Sequence, residues 1–167
     1  TRPLVFRAFT EPQLVRQWLL GPPGWTMPVC EMDVRVGGQY RWRWQSESKD
    51  EQFGFSGTFR EVQPPSRLVH TEAYDPGSVG GTYPGNEALV TVTFTEERGV
   101  TTVTTLIDFG SKETRDGAMA TGMTVGMWDF VTVYWFIWIP GLIASVVGFV
   151  QWKKTETGRR QWDRAKL

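Results

Sequence analysis

The chemistry open to this chain is bounded by two residue types that occur once each, Cys30 and His70. One thiol forms neither an internal disulfide nor a thiolate metal site, and one imidazole rules out the usual histidine-rich metal clusters. No serine or cysteine motif accompanies His70, so it reads as a structurally satisfied histidine. Cys30 reads as a small buried apolar group. Glu31 and Asp33 share a strand parity and could form a carboxylate pair, but Arg35 continues the same alternation and favours a surface salt bridge. Gly37-Gly38 is a turn rather than a phosphate cradle, which would need a strand running into a helix. The sequence therefore names no catalytic residue and no metal ligand, and it implies no cofactor.

Binding chemistry is easier to find. Tyr40, Trp42 and Trp44 fall on one face of an alternating segment, with Gln39, Arg41 and Arg43 on the other. Phe53, Phe55 and Phe59 repeat the pattern in the next segment. Apolar concave walls with a few polar groups are common ligand chemistry, so these six rings are the candidate lining of a pocket. The plain alternative is that they fill the core. Arg41 and Arg43 are expected to face solvent, a partner or lipid headgroups.

These rings need a sheet to carry them, and the periodicity supplies one. Residues 1–20 read as two short helices, the second with Thr10 as N-cap and Pro12 in its first turn. Gly21-Pro22-Pro23-Gly24 ends it. The period then becomes two, giving strands at 29–36, 39–45, 52–62, 67–74, 88–95 and 100–109, with Gly37-Gly38, Pro64-Pro65 and Glu96-Glu97-Arg98-Gly99 among the turns. Ser111 caps a following helix. The expected class is α+β, an antiparallel sheet curved around a long C-terminal helix.

That helix is expected to run into residues 130–152, which hold no charge. About 20 apolar residues cross a bilayer, and only Thr132, Ser145 and Gln151 could offer the polar stripe of a buried soluble helix. The reading is a domain at 1–127, one transmembrane helix at 128–152 kinked at Pro140-Gly141, and a tail at 153–167. Tyr134, Trp135, Trp138 and Trp152 suit the lipid–water interface, and Lys153 and Lys154 open a basic tail suited to anionic headgroups. Lys plus Arg equals Asp plus Glu overall. Nothing therefore points to nucleic acid as a partner.

Several motifs together resemble the Hsp90-ATPase-activator-homologue group of the START-like (SRPBCC) superfamily. They are Phe6-Arg7-Ala8-Phe9-Thr10-Glu11-Pro12, Trp18 with Gly21-Pro22 and Gly24-Trp25, and Cys30-Glu31-Met32-Asp33-Val34-Arg35 with Gly37-Gly38. Gly57-Thr58-Phe59-Arg60-Glu61-Val62, Pro64-Pro65-Ser66-Arg67-Leu68-Val69, Thr101-Thr102-Val103-Thr104 and Arg115-Asp116 with Gly122-Met123 continue the series, so the resemblance covers residues 4–127. It implies a helix-grip fold with an apolar cavity between sheet and last helix, and a lipophilic ligand. It transfers no catalytic residue. Two departures stand out. The strand that usually opens the family is absent, which leaves a sheet edge unpaired or covered by a partner, and the uncharged run replaces the usual amphipathic end of the last helix.

The first functional expectation is a single-pass membrane protein whose START-like domain is a non-catalytic accessory subunit of a membrane complex, photosynthetic or respiratory. Its partners would be membrane lipid and other transmembrane subunits, met through small residues such as Gly141, Ala144, Ser145 and Gly148. The basic tail would by charge count lie inside, but no export signal is visible, and the domain is expected on the cytoplasmic side. The alternative is a membrane-tethered binder or carrier of a lipid or other hydrophobic small molecule. An enzyme working in the same cavity ranks last, because no acid–base pair can be named.

Overall fold

The computed structural model describes residues 1–81, 87–120, 136–139 and 142–145. Two helices open the chain, α1 (Arg2–Thr10) and α2 (Pro12–Trp18), with a proline in the first turn of each. The residue before a proline is pushed out of the helical region; Glu11 is accordingly extended (φ −98°, ψ 117°) and separates the two. Thr10 was expected to cap α2. It instead ends α1, its hydroxyl donating to the Phe6 carbonyl at 2.9 Å, and Glu11 takes the cap position. The Trp18 indole N–H donates to the Ala8 carbonyl at 2.7 Å and ties α2 back onto α1.

Six antiparallel strands follow in a meander whose spatial order is the chain order: β1 (Trp25–Met32), β2 (Gln39–Ser46), β3 (Gln52–Gln63), β4 (Arg67–Asp75), β5 (Ala88–Glu97) and β6 (Val100–Asp108). The expected strand at 29–36 lies four residues too late. Pro28 sits inside β1, which is possible because β1 is an edge and the register shifts between Thr26 and Val29. The chain turns earlier than expected as well. Asp33 N–H bonds the Gln39 carbonyl at 2.8 Å, and Gly37 turns at φ +81°, a conformation that favours glycine.

The sheet buries one face under the opening helices. Val5 and Phe6 of α1 join Leu68, Val90, Val92, Phe94 and Val103 in a closed core, with the Phe6 and Phe94 rings edge-on at 5.4 Å. This is a curled antiparallel sheet with few helices, as a helix-grip domain requires. α3 (Lys112–Ala120) begins as expected: the Ser111 hydroxyl accepts from the Thr114 N–H at 3.1 Å.

The continuation of α3 into a long helix lies outside the described residues, as does most of the expected membrane segment. Where that segment is described it is extended, not helical. β7 (Phe136–Ile139) and β8 (Leu142–Ser145) pair antiparallel, Phe136 with Ser145 and Ile139 with Leu142. Aromatic and β-branched residues on either side of a Pro-Gly pair satisfy a hairpin as readily as a kinked helix. Among the described residues no helix is long and apolar enough to cross a membrane. Trp138, expected at a lipid interface, pairs with Ile143 in this ribbon. Tyr134, Trp135, Trp152, Lys153 and Lys154 lie outside the described residues.

Candidate functional site: an aromatic cup with an acid in its floor

The side chains facing the helices follow from strand register. β2 and β3 pair Tyr40 with Gly57, Trp42 with Phe55 and Trp44 with Phe53. β3 and β4 pair Phe55 with Tyr74 and Phe59 with His70, and β4 and β5 pair His70 with Val90 and Glu72 with Ala88. Partners in register share a face, so Leu68, His70, Glu72 and Tyr74 line up on the same side as the rings of β2 and β3.

All six expected ring residues are brought together there. Tyr40 lies 4.4 Å from Trp42 and 5.7 Å from Phe59. Trp44 stacks on Phe53 at 5.2 Å, and Phe55 meets Trp44 edge-on at 6.1 Å. Their burial differs. Tyr40, Trp44, Phe55 and Phe59 are buried, whereas Trp42 and Phe53 remain half-buried, as does Tyr74. The Trp44 indole N–H reaches the Leu19 carbonyl at 3.3 Å, which anchors the chain after α2 over that end of the cup. Part of the ring row thus fills the core, and part still presents surface.

Between α1–α2 and the sheet lies a cavity of about 30 Å³, lined by Phe9, Val15, Trp18, Tyr40, Trp42 and His70 among others. That is room for roughly one water molecule. The indole N–H of Trp42, one of its lining residues, is buried with no acceptor among the described residues. His70 lies beside it, the two rings 6.4 Å apart. The Thr71 carbonyl sits 3.2 Å from His70 Nδ1 and can only accept, so Nδ1 carries the hydrogen and Nε2 keeps its lone pair. Burial holds His70 below its usual pKa despite that hydrogen bond. The imidazole therefore stays neutral. The same carbonyl accepts from the Tyr40 hydroxyl at 2.9 Å.

Glu72 is the residue that sequence reasoning missed. It is 8% exposed, and among the described residues it makes no ion pair and no hydrogen bond. Burial alone pushes its carboxyl from 4.5 up to about 7. Its neighbours explain how the sheet accommodates it. Ala88 stands opposite on β5, and on β3 the pairing of Ser56 with Ala73 sets Gly57 beside it. Both register neighbours are small, so neither side chain crowds the carboxyl. Gly57 is also required for a second reason: a Cβ there would run into the Thr71 carbonyl and the Tyr40 ring. The signal was available in Leu68-Val69-His70-Thr71-Glu72-Ala73-Tyr74, where alternation puts the acid on the inward side.

The remaining candidates resolve simply. Arg35 pairs with Asp33 at 2.8 Å on the exposed turn after β1, as the alternation suggested. Arg43 departs from its expected place in solvent. Its side chain is only 19% exposed, pairs with Asp75 and donates to Gln52 Oε1 at 2.9 Å, because β2 is an interior strand flanked by β1 and β3. Cys30 is buried, and burial pushes its thiol pKa up. Among the described residues no three His, Cys, Asp or Glu side chains gather as a metal site.

Over residues 1–131 the sequence matches the family described as Activator of Hsp90 ATPase homolog 1-like protein. The chain belongs to this family. Solved structures repeat the fold. A Rhodobacter sphaeroides protein superposes with a TM-score of 0.63 at 28% identity, over 78% of this chain and 80% of its own. A Mycobacterium smegmatis protein gives 0.61 at 17% identity over 78% of each chain. An Arthrobacter aurescens protein gives 0.61 at 21% over 78% and 74%. At such identities the last two speak for the fold alone. No curated protein matches the chain. The family domain thus accounts for the sheet, the opening helices and α3, and reaches into the region where the uncharged run begins.

Proposed function

We propose that this family member is a non-catalytic binding domain that takes a small, largely apolar molecule against the aromatic face of its sheet. One observation carries the reading: a buried indole N–H, that of Trp42, has no acceptor among the described residues and stands beside rings that keep exposed surface. A buried donor left unpaired costs about 1–3 kcal/mol, and a ligand oxygen or a water in the adjoining cavity removes that cost. The cavity itself is water-sized, so the body of the ligand lies along Trp42, Phe53 and Tyr74 and only a polar atom enters it. No nucleophile or acid–base pair is needed for this role.

The test is a heteronuclear NMR titration of the full chain with 2-phenylethanol, a ring carrying one oxygen. The Trp42 indole N–H resonance should move saturably. Scattered shifts on the outer face, with the Trp42 resonance fixed, would contradict the proposal.

A second reading keeps the domain as an accessory subunit of a membrane complex, held at the bilayer by residues 128–152. Its support is the uncharged run at 130–152 and the basic residues after it. Recovery of the full chain in alkali-washed membranes supports it, and recovery in the wash contradicts it.

A further inference from the structure

We infer that the ligand of this cup carries a basic nitrogen, and that its ammonium group sits on Glu72. The inference rests on the binding reading above and names the chemical class of its ligand.

The argument begins with cost. A carboxyl taken out of water without a partner is expensive in its charged form, and such groups are ordinarily paired or solvated. Glu72 has little solvent and no partner: it is 8% exposed and makes no ion pair or hydrogen bond among the described residues. Simple packing would be served as well by Gln or Leu at this register position. The surroundings suit a cation. Gly57 on β3 and Ala88 on β5 flank the acid in register with small residues. Aromatic rings stand around it. Tyr40 crosses Gly57 on one side, and the Tyr74 and Phe55 rings, 5.3 Å apart, stand on the other. An ammonium ion over ring faces gains cation–π attraction that grows as water is excluded, and a carboxylate beneath it supplies the charge-assisted hydrogen bond.

Among the described residues the titratable neighbours on this face are His70, held neutral by burial, the Cys30 thiol, whose pKa burial raises, and the hydroxyls of Tyr40 and Tyr74, which donate to the Thr71 and Gly80 carbonyls. Arg43 is on the opposite side of the sheet, engaged with Asp75. The carboxyl is raised to about 7 by burial, so it is largely ionised at pH 8.

Three probes of one shape separate the possibilities: 2-phenylethylamine, 2-phenylethanol and 3-phenylpropanoate, titrated at pH 8 into the full chain and into its Glu72→Gln variant, with the Trp42 and Gly57 resonances as readout. The inference expects the amine to bind at least tenfold more tightly than the alcohol, the propanoate to bind weakest, and Glu72→Gln to bring amine and alcohol to equal affinity. Thermal melts of the variant establish that it is folded. Equal affinity for amine and alcohol overturns the amine assignment and leaves the binding reading intact. Tightest binding by the propanoate also overturns it. Failure of all three to move the Trp42 resonance overturns both.

Discussion

The two halves of the helix-facing side of the sheet are built on opposite principles. Under α1, Phe6, Phe94, Val92 and Val103 close on one another with no polar atom among their side chains. Across β2, β3 and β4 the same face holds an imidazole, an indole donor and a carboxyl, and among the described residues the indole has no acceptor and the carboxyl no ion pair or hydrogen bond. The first half is closed from water, whereas Trp42, Phe53 and Tyr74 of the second stay half-buried. The four side chains of the first half need no polar partner, and the second half carries groups that do. Unpartnered polar groups in a dry place are costly, so the indole and the carboxyl mark where something other than stability has shaped the sequence.

Substitutions can break or sharpen that contrast. The largest effect belongs to the closed half: Phe94→Ala, at a residue 1% exposed, should lose about 3–5 kcal/mol, read from denaturant unfolding. Next comes the acid, with the sign reversed. The folded chain keeps a proton on Glu72 that the unfolded chain releases between about pH 4.5 and 7. Wild-type stability from this group therefore falls as pH rises through that window. Glu72→Gln should gain up to about 3 kcal/mol over wild type at pH 8 and nothing at pH 4, measured as paired melts. His70 acts oppositely. Its folded pKa is depressed, so its contribution is lost as pH drops below about 6.5, equally in both proteins.

A smaller loss, about 1–3 kcal/mol, is expected for Gly57→Ala, because the new methyl displaces Tyr40 and the Thr71 carbonyl; the Tyr40 ring resonances should move with it. Smallest is Arg7→Ala. It removes a 2.5 Å ion pair with Glu11 on the exposed side of α1, and exposed pairs contribute little. Its unfolding midpoint should stay where it was.

Much of this architecture could be read from the chain. Alternation from Gln39 to Gln45 and from Gln52 to Val62 fixed both the strands and the shared face of their six rings, because period two leaves no freedom about which side a residue takes. Strand ends were less legible. Pro28 argued against a strand at the place where β1 runs, and only its position at the edge of the sheet removes the objection. The uncharged run at 130–152 shows the opposite weakness. Length and apolarity suggest a membrane helix, yet eight of its residues form a paired ribbon, since apolar aromatic and β-branched residues serve either structure. Glu72 was overlooked because a single acid in an alternating strand looks like a surface residue until its neighbours are known. Gly57 and Ala88, which flank it, come from two other strands.

The central claim is that an unpaired carboxyl stands in the floor of the aromatic cup. It is tested most directly by the side-chain carbonyl resonances of ¹³C-labelled glutamate across pH, with the Glu72 signal assigned by its disappearance in Glu72→Gln. The account predicts a titration midpoint for Glu72 near 7. A midpoint at the ordinary value of 4.5 would mean that the carboxyl is solvated or paired, and would contradict it.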